Sequence, residues 1–261
     1  MREPAVAGQF YPSTKHECEA LLSKFKRDAG RVATKSRAVV APHAGWVYSG
    51  ATAMRSFLAL EKAETYVVLS PNHTGRGLAV ATSNQDWETP FGVCELDSEL
   101  AGELVRVGVA EADEAAHAEE HSVEVQLPFL QFVFGKFKFV PVTFLDQSLS
   151  AALRVAEALA KTKKNISVVA SSDFTHYEPA KQAREKDMAV IDAILKMDVE
   201  AFYARLRETR ATACGYAPIA CALTWGKLKG AKRGELLGFS NSGEASGDYS
   251  SVVDYASIAF V

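Results

Sequence analysis

Three short runs, Arg37-Ala38-Val39-Val40-Ala41, Thr65-Tyr66-Val67-Val68-Leu69-Ser70 and Ile166-Ser167-Val168-Val169-Ala170-Ser171, are apolar at nearly every successive position. A strand of that kind is covered on both faces, the environment of a parallel sheet flanked by helices. Each run then breaks in a turn-forming segment: Pro42-His43-Ala44-Gly45 after the first, Pro71-Asn72-His73-Thr74-Gly75 after the second and Ser172-Asp173-Phe174-Thr175-His176 after the third. In open α/β sheets the ligand crevice lies outside the carboxyl ends of the strands. Three imidazoles and a carboxyl are thereby expected where a site belongs.

The segments between the runs complete the pattern. Thr14 caps a helix whose Leu21, Leu22 and Phe25 share a face, and Gly30 ends it. Ser49 to Leu60 is a helical crossover between the first two strands. Leu78 to Thr82 and Val93 to Leu96 read as a strand pair, with Trp87 to Gly92 as the loop between them. Asp97 to Val107 and His121 to Phe132 read as helices, the second interrupted by Pro128. Lys138 to Phe144 is strand-like and Ser148 to Lys161 helical. Pro179 opens a helix to Met197, Asp198 caps the next, Cys214 to Lys229 form a third, and strands near Glu235 to Ser240 and Val252 to Val261 follow. No repeat, low-complexity stretch or Ser/Pro-rich linker divides the chain. The expected fold class is therefore α/β: a single domain over residues 1–261 with a mainly parallel central sheet flanked by helices.

With 261 residues, 48% of them hydrophobic, the chain can bury a large core. A net charge of -3 and the lack of a basic cluster with interleaved aromatics argue against nucleic acid as a partner. There is no apolar run of about 20 residues and no signal-peptide core, so no membrane contact and a cytoplasmic location are expected. Cys18, Cys94, Cys214 and Cys221 are scattered without a CxxC pair, which excludes a disulfide scaffold or zinc finger and leaves free thiols.

Each chemical group has a functional and a plain reading. One loop histidine can simply cap carbonyls, but His43 and His73 at two strand exits point to metal or substrate. Asp173 can be a turn residue, or the partner that orients His176 for proton transfer. Cys214 precedes Gly215 at a helix start, where the dipole favours thiolate, whereas Cys221 and the other two thiols are read as core. His117-Ala118-Glu119-Glu120-His121 matches the H-x-x-E-H pattern of inverted zinc peptidases, giving a zinc-hydrolase alternative, or else lies on a solvated face. His121 and Glu124, three residues apart, share a face and can reach the same pocket. Gly243 to Tyr249 lacks the phosphate-loop pattern and is read as a turn, and no G-x-S-x-G elbow is present.

Taken in order, Arg2, Pro4 to Gly8, Phe10 to Pro12, Pro42 to Gly50, Ser70 to His73, Glu119 to Glu124, Ser171 to His176 and Cys214-Gly215 resemble the Memo family, also known as protein B of the AmmeMemoRadiSam system. The resemblance spans nearly the whole chain. It implies a fold similar to class III extradiol dioxygenases, non-haem iron enzymes that open catechol rings. It further implies a metal held by His43, His73 and Cys214, with His176 in the place of the dioxygenase acid/base and Asp173 in the pocket. Those dioxygenases hold iron with two His and a carboxylate. The softer sulfur of Cys214 at the third position suits copper, zinc or thiolate-bound iron. The expectation is oxidoreductase-like chemistry on a small molecule, with a radical SAM protein as pathway partner. The alternative is a non-enzymatic pocket for a peptide or phosphotyrosine segment, as proposed for Memo proteins of animals.

Overall fold

The computed structural model describes residues 1–261. The chain opens with α1 (Lys15–Ala29), β1 (Ala38–Ala41), α2 (Trp46–Ala59) and β2 (Thr65–Pro71). It continues through β3 (Val80–Thr82), β4 (Trp87–Thr89), β5 (Gly92–Leu96), α3 (Ser98–Arg106) and β6 (Glu111–Ala112). After two 3-10 turns come α4 (Leu127–Phe134), β7 (Lys138–Phe144), α5 (Leu149–Lys161), β8 (Ile166–Ser171) and β9 (His176–Glu178). The last third holds α6 (Ala180–Leu195), α7 (Val199–Thr209), α8 (Tyr216–Leu228), β10 (Gly234–Asn241), α9 (Gly243–Ser246) and β11 (Val252–Phe260).

These elements form one α/β domain around a mixed, mostly parallel sheet of order β10-β11-β1-β8-β2-β7-β3-β6. The central four strands β1, β8, β2 and β7 are mutually parallel. All residues of β1, β2 and β8 are buried, as their unbroken apolar character requires. Alternate residues feed two cores: Val40 and Leu69 pack with α5 and α8, while Val39 and Val68 pack with α1, α2 and α4. Burying side chains of this size contributes roughly 1.5–3 kcal/mol each, so the sheet is anchored from both sides. Because the four strands run the same way, their carboxyl ends and the loops that follow lie along one edge.

Several local expectations change. Val80–Thr82 does not pair with β5; it runs antiparallel to β7, and β5 makes its hairpin with β4, so Trp87–Thr89 is strand and not loop. The buried Trp87 and Thr89 flank an exposed Glu88, the alternation of a half-covered strand. His121 to Phe132 is not one helix: α4 starts at Leu127 with Pro128 in its first turn, where a missing N–H costs nothing. Helix α8 starts at Tyr216, which leaves Cys214 outside it. A short β9 pairs with β11 where a loop was expected, with Tyr177 at φ 58°.

The N-terminal segment is bound to the loop before α4. Arg2 donates from Nε to the carbonyl of His117 (2.8 Å) and from Nη2 to that of Glu120 (3.0 Å), and pairs with Glu124 at 2.8 Å. Glu124 also accepts the N–H groups of Ala5 and Val6 and the hydroxyl of Tyr11. Both ions of the pair are buried. Glu124→Ala should therefore cost about 3–5 kcal/mol in chemical denaturation, because Arg2 is left buried without its counter-charge; a loss below 1 kcal/mol would contradict this account.

A second buried acid lies behind the third strand exit. Asp187 on α6 accepts the N–H and hydroxyl of Thr175, and it faces Asp254 on β11, whose oxygens find no other partner. Burial, then the charge of Asp187, raises the Asp254 carboxyl to about 8. The folded pair therefore keeps a proton that the unfolded chain releases near pH 4. Stability should fall as the pH rises from about 4 to about 8. Thermal melts of Asp254→Asn should lack most of that slope.

Candidate metal centre

His43 follows β1, His73 follows β2 and His121 lies in the turn before α4. Their donor atoms all lie within 4.8 Å of one another. The ring centroids are 5.1 Å apart for His43 and His73, 5.3 Å for His43 and His121, and 4.8 Å for His73 and His121. His43 is buried, His121 half-buried and His73 exposed, so the group is backed by protein on one side and open on the other. A three-ligand set with an open side is the arrangement of catalytic metal sites, whereas structural sites are closed.

Hydrogen bonding sets the ring tautomers. Ser171 Oγ gives its one proton to the carbonyl of Ser122 (2.7 Å) and accepts from Gln126 Nε2 (2.8 Å). At 2.9 Å from His43 Nδ1 it must therefore accept from that nitrogen, which leaves the Nε2 lone pair of His43 facing the cluster. Glu120 takes the corresponding role for His73: its Oε1 is 2.9 Å from Nδ1, and Oε2 accepts the His73 N–H. Burial alone would raise the Glu120 carboxyl, but the His73 hydrogen bonds and the nearby imidazoles hold it at about 2. An ionised Glu120 fixes Nδ1 of His73 as donor and frees Nε2. A carboxylate behind a ligating imidazole is the usual support of a metal-binding His. Burial is the leading cause that keeps His43 well below the usual histidine range and His121 at about 4, so both are neutral and able to ligate at pH 7.

Cys214 and Asp173 border the same group. Cys214 Sγ is 3.2 Å from His43 Nε2 and accepts the N–H of Asp173 at 3.3 Å. Cys214 lies outside the set of three mutually close donors. The helix-start effect expected for its thiol is overridden: burial, with the Asp173 charge adding, pushes the pKa far up, and Gly215 stands between Cys214 and the helix. Gly215 is required there, since a Cβ would collide with the Ser171 carbonyl. Cys18, Cys94 and Cys221 are buried in the cores.

Asp173 does not orient His176. Its Oδ1 accepts the N–H groups of His43 (2.8 Å) and Ala44 (3.4 Å), and its Oδ2 is 4.0 Å from His43 Nε2. Its carboxyl is buried and raised to about 7, partly offset by those two hydrogen bonds. The His176 ring is held by Thr212, whose carbonyl is 3.0 Å from Nδ1, so Nδ1 donates and Nε2 keeps its lone pair. Burial lowers the His176 pKa, the hydrogen bond to Thr212 opposes that shift, and the electrostatic influence of His73 adds to it.

The zinc-hydrolase pattern fails on geometry. His117 and His121 do not share a helix; the first caps a 3-10 turn. His117 is buried edge-on to Trp87 at 5.5 Å, with Nδ1 3.2 Å from Thr143 Oγ1, and is not part of the cluster. Glu124 serves the N-terminal segment described above. The sequence reading passed over Glu120 and Thr212. Glu120 was visible only as the acid of the H-x-x-E-H pattern and as part of the Glu119 to Glu124 resemblance, and Thr212 carried no signal.

The profile of the family described as Memo-like protein matches residues 2–259. This chain belongs to the Memo family. A MEMO1 family protein of Methanosarcina barkeri is 46% identical over 263 residues, with 99% of each chain covered, and one of Nitrosopumilus maritimus is 46% identical over 274 residues, with 100% of each covered. Among solved structures, the uncharacterized protein JW3007 of Escherichia coli K12 is similar with a TM-score of 0.55 at 13% identity, covering 85% of this chain and 98% of that one. That likeness concerns the fold. In this Memo-family protein the expected residues His43, His73 and Asp173 follow the ends of β1, β2 and β8, and His176 opens β9. Two clefts, of 860 and 920 Å³, lie at the opposite edge by Thr65, Lys138 and Asn165 and touch none of these groups. No helix is long and apolar enough to cross a membrane.

If Glu120 sets the His73 tautomer, Glu120→Gln should give a mixed tautomer at His73 in nitrogen NMR while leaving His43 unchanged. An unaltered His73 spectrum would remove Glu120 from this role.

Proposed function

We propose that this Memo-family protein binds one metal ion, iron, copper or zinc, at His43, His73 and His121 and carries out oxidoreductase-like chemistry on a small molecule. Cys214 is the adjoining sulfur donor, completing with His43 and His73 the trio expected from the resemblance. The observation that carries the reading is the convergence of three imidazole donors within 4.8 Å, one backed by an ionised Glu120. Nitrogen donors beside a thiol suit these three metals better than magnesium or calcium, which prefer oxygen. Such a metal supplies Lewis acidity or, if iron or copper, one-electron chemistry.

The residues of the chain carry the rest. Glu120 and Ser171 hold the His73 and His43 rings through their Nδ1 atoms. His176, with Nδ1–H on the Thr212 carbonyl, accepts a proton at Nε2 from the bound molecule and returns it later in the cycle. Asp173 fixes the His43 backbone through its carboxylate and holds the Cys214 sulfur in place through its N–H. The exposed His73 edge is the side from which substrate enters.

The test is elemental analysis of protein purified without oxygen. The parent should hold near-stoichiometric iron, copper or zinc, and His43→Ala, His73→Ala and His121→Ala should each lose most of it. Glu120→Gln should weaken metal affinity by about 10–100-fold, and Cys214→Ser reports whether sulfur is a ligand. A parent that neither carries nor takes up any of the three metals defeats the reading.

A further inference from the structure

A cleft of about 740 Å³ opens beside the centre, at the carboxyl end of β7, and shares Cys214 and Thr212 with it. That volume is within the range of small-molecule sites. Its apolar wall is aromatic: Tyr203 and Tyr216 meet edge to face at 5.7 Å. The Tyr203 hydroxyl is committed to the carbonyl of Gln147 (2.9 Å), so the ring and not the hydroxyl is offered to an occupant. Gln147 also grips the Cys214 carbonyl (2.7 Å) and the Ala217 N–H (3.1 Å), which makes the floor rigid.

Arg207, one helical turn after Tyr203, lines the same cleft and has neither an ion pair nor a side-chain hydrogen bond in the protein. The one carboxylate on the lining, Asp146, accepts the N–H of Ser148 and does not reach it. An arginine in the last turn of a helix complements the helix dipole. Arg207 is also exposed, so its guanidinium is solvated and free to meet an anion at the mouth of the cleft.

We infer that this cleft binds a small amphipathic anion, its acidic group on Arg207 and its apolar body against Tyr203 and Tyr216, with its far end at Cys214. In naming this anion the substrate we rest on the proposed metal chemistry; the binding itself needs no metal.

The test uses the metal-free full chain and two fluorescent probes of like shape, anionic 8-anilinonaphthalene-1-sulfonate and neutral N-phenyl-1-naphthylamine. The parent should bind one equivalent of the anionic probe in preference to the neutral one. Arg207→Gln should weaken the anionic probe at least fivefold and leave the neutral one unchanged, whereas a purely helix-stabilising arginine would change the melting temperature and not the preference. Ala211→Trp, which fills the cleft, should weaken both. A preference that survives Arg207→Gln, or binding that survives Ala211→Trp, would each overturn the inference. Absence of metal from the parent would defeat the proposed function but leave these binding results standing.

Discussion

The ionised carboxylate of Glu120 is the constraint on which the site depends. A buried charge is tolerated only when it is well supplied with donors. Glu120 has no exposed surface and receives the backbone and ring of His73 together with the N–H and hydroxyl of Ser122. Those donors come from the exit of β2 and from the turn before α4, so satisfying one carboxylate holds two of the three imidazoles in place. Arg2 extends the same logic outward. By binding the carbonyls of His117 and Glu120 and the carboxylate of Glu124, it fixes the segment that carries Glu120 and His121.

The sheet makes this economical. Four parallel strands deliver their exits to one edge, and His43, His73 and Asp173 need only short loops to meet there. Ser171, the last residue of β8, supports the His43 ring from within the sheet, a position where side-chain motion is small. The supporting groups are thus on rigid elements while the open side faces solvent through His73. Preorganisation of that kind lets neutral imidazoles bind a cation without first rearranging.

Cys214 shows two physical effects in competition. Proximity to a helix start favours thiolate, and burial opposes it. Burial wins because Gly215 caps the helix and the sulfur sits against Asp173 and His43. A cation at the imidazoles would tilt the balance toward thiolate, since coordination deprotonates a thiol outright. The same residue borders the cleft that Arg207 lines, so the candidate metal centre and that cleft share a wall.

The sequence by itself determined the sheet and the strand-end residues. Unbroken apolar runs allow only a strand covered on both faces, and Pro, Gly and Asp after the runs end them, so His43, His73 and Asp173 follow strand ends as the pattern implied. Local pattern could not decide what joins those ends. The H-x-x-E-H spacing looked helical, but the turn around Glu120 is dictated by Arg2 and His73, residues far away in sequence, and this moved His117 into the core and His121 into the cluster. In the same way Thr212 replaced Asp173 as the partner of His176, because a backbone carbonyl carries no signature in its side chain. Strand identity follows from burial along a few neighbouring residues; ring orientation and ionisation follow from long-range hydrogen bonds, which only the tertiary structure brings together.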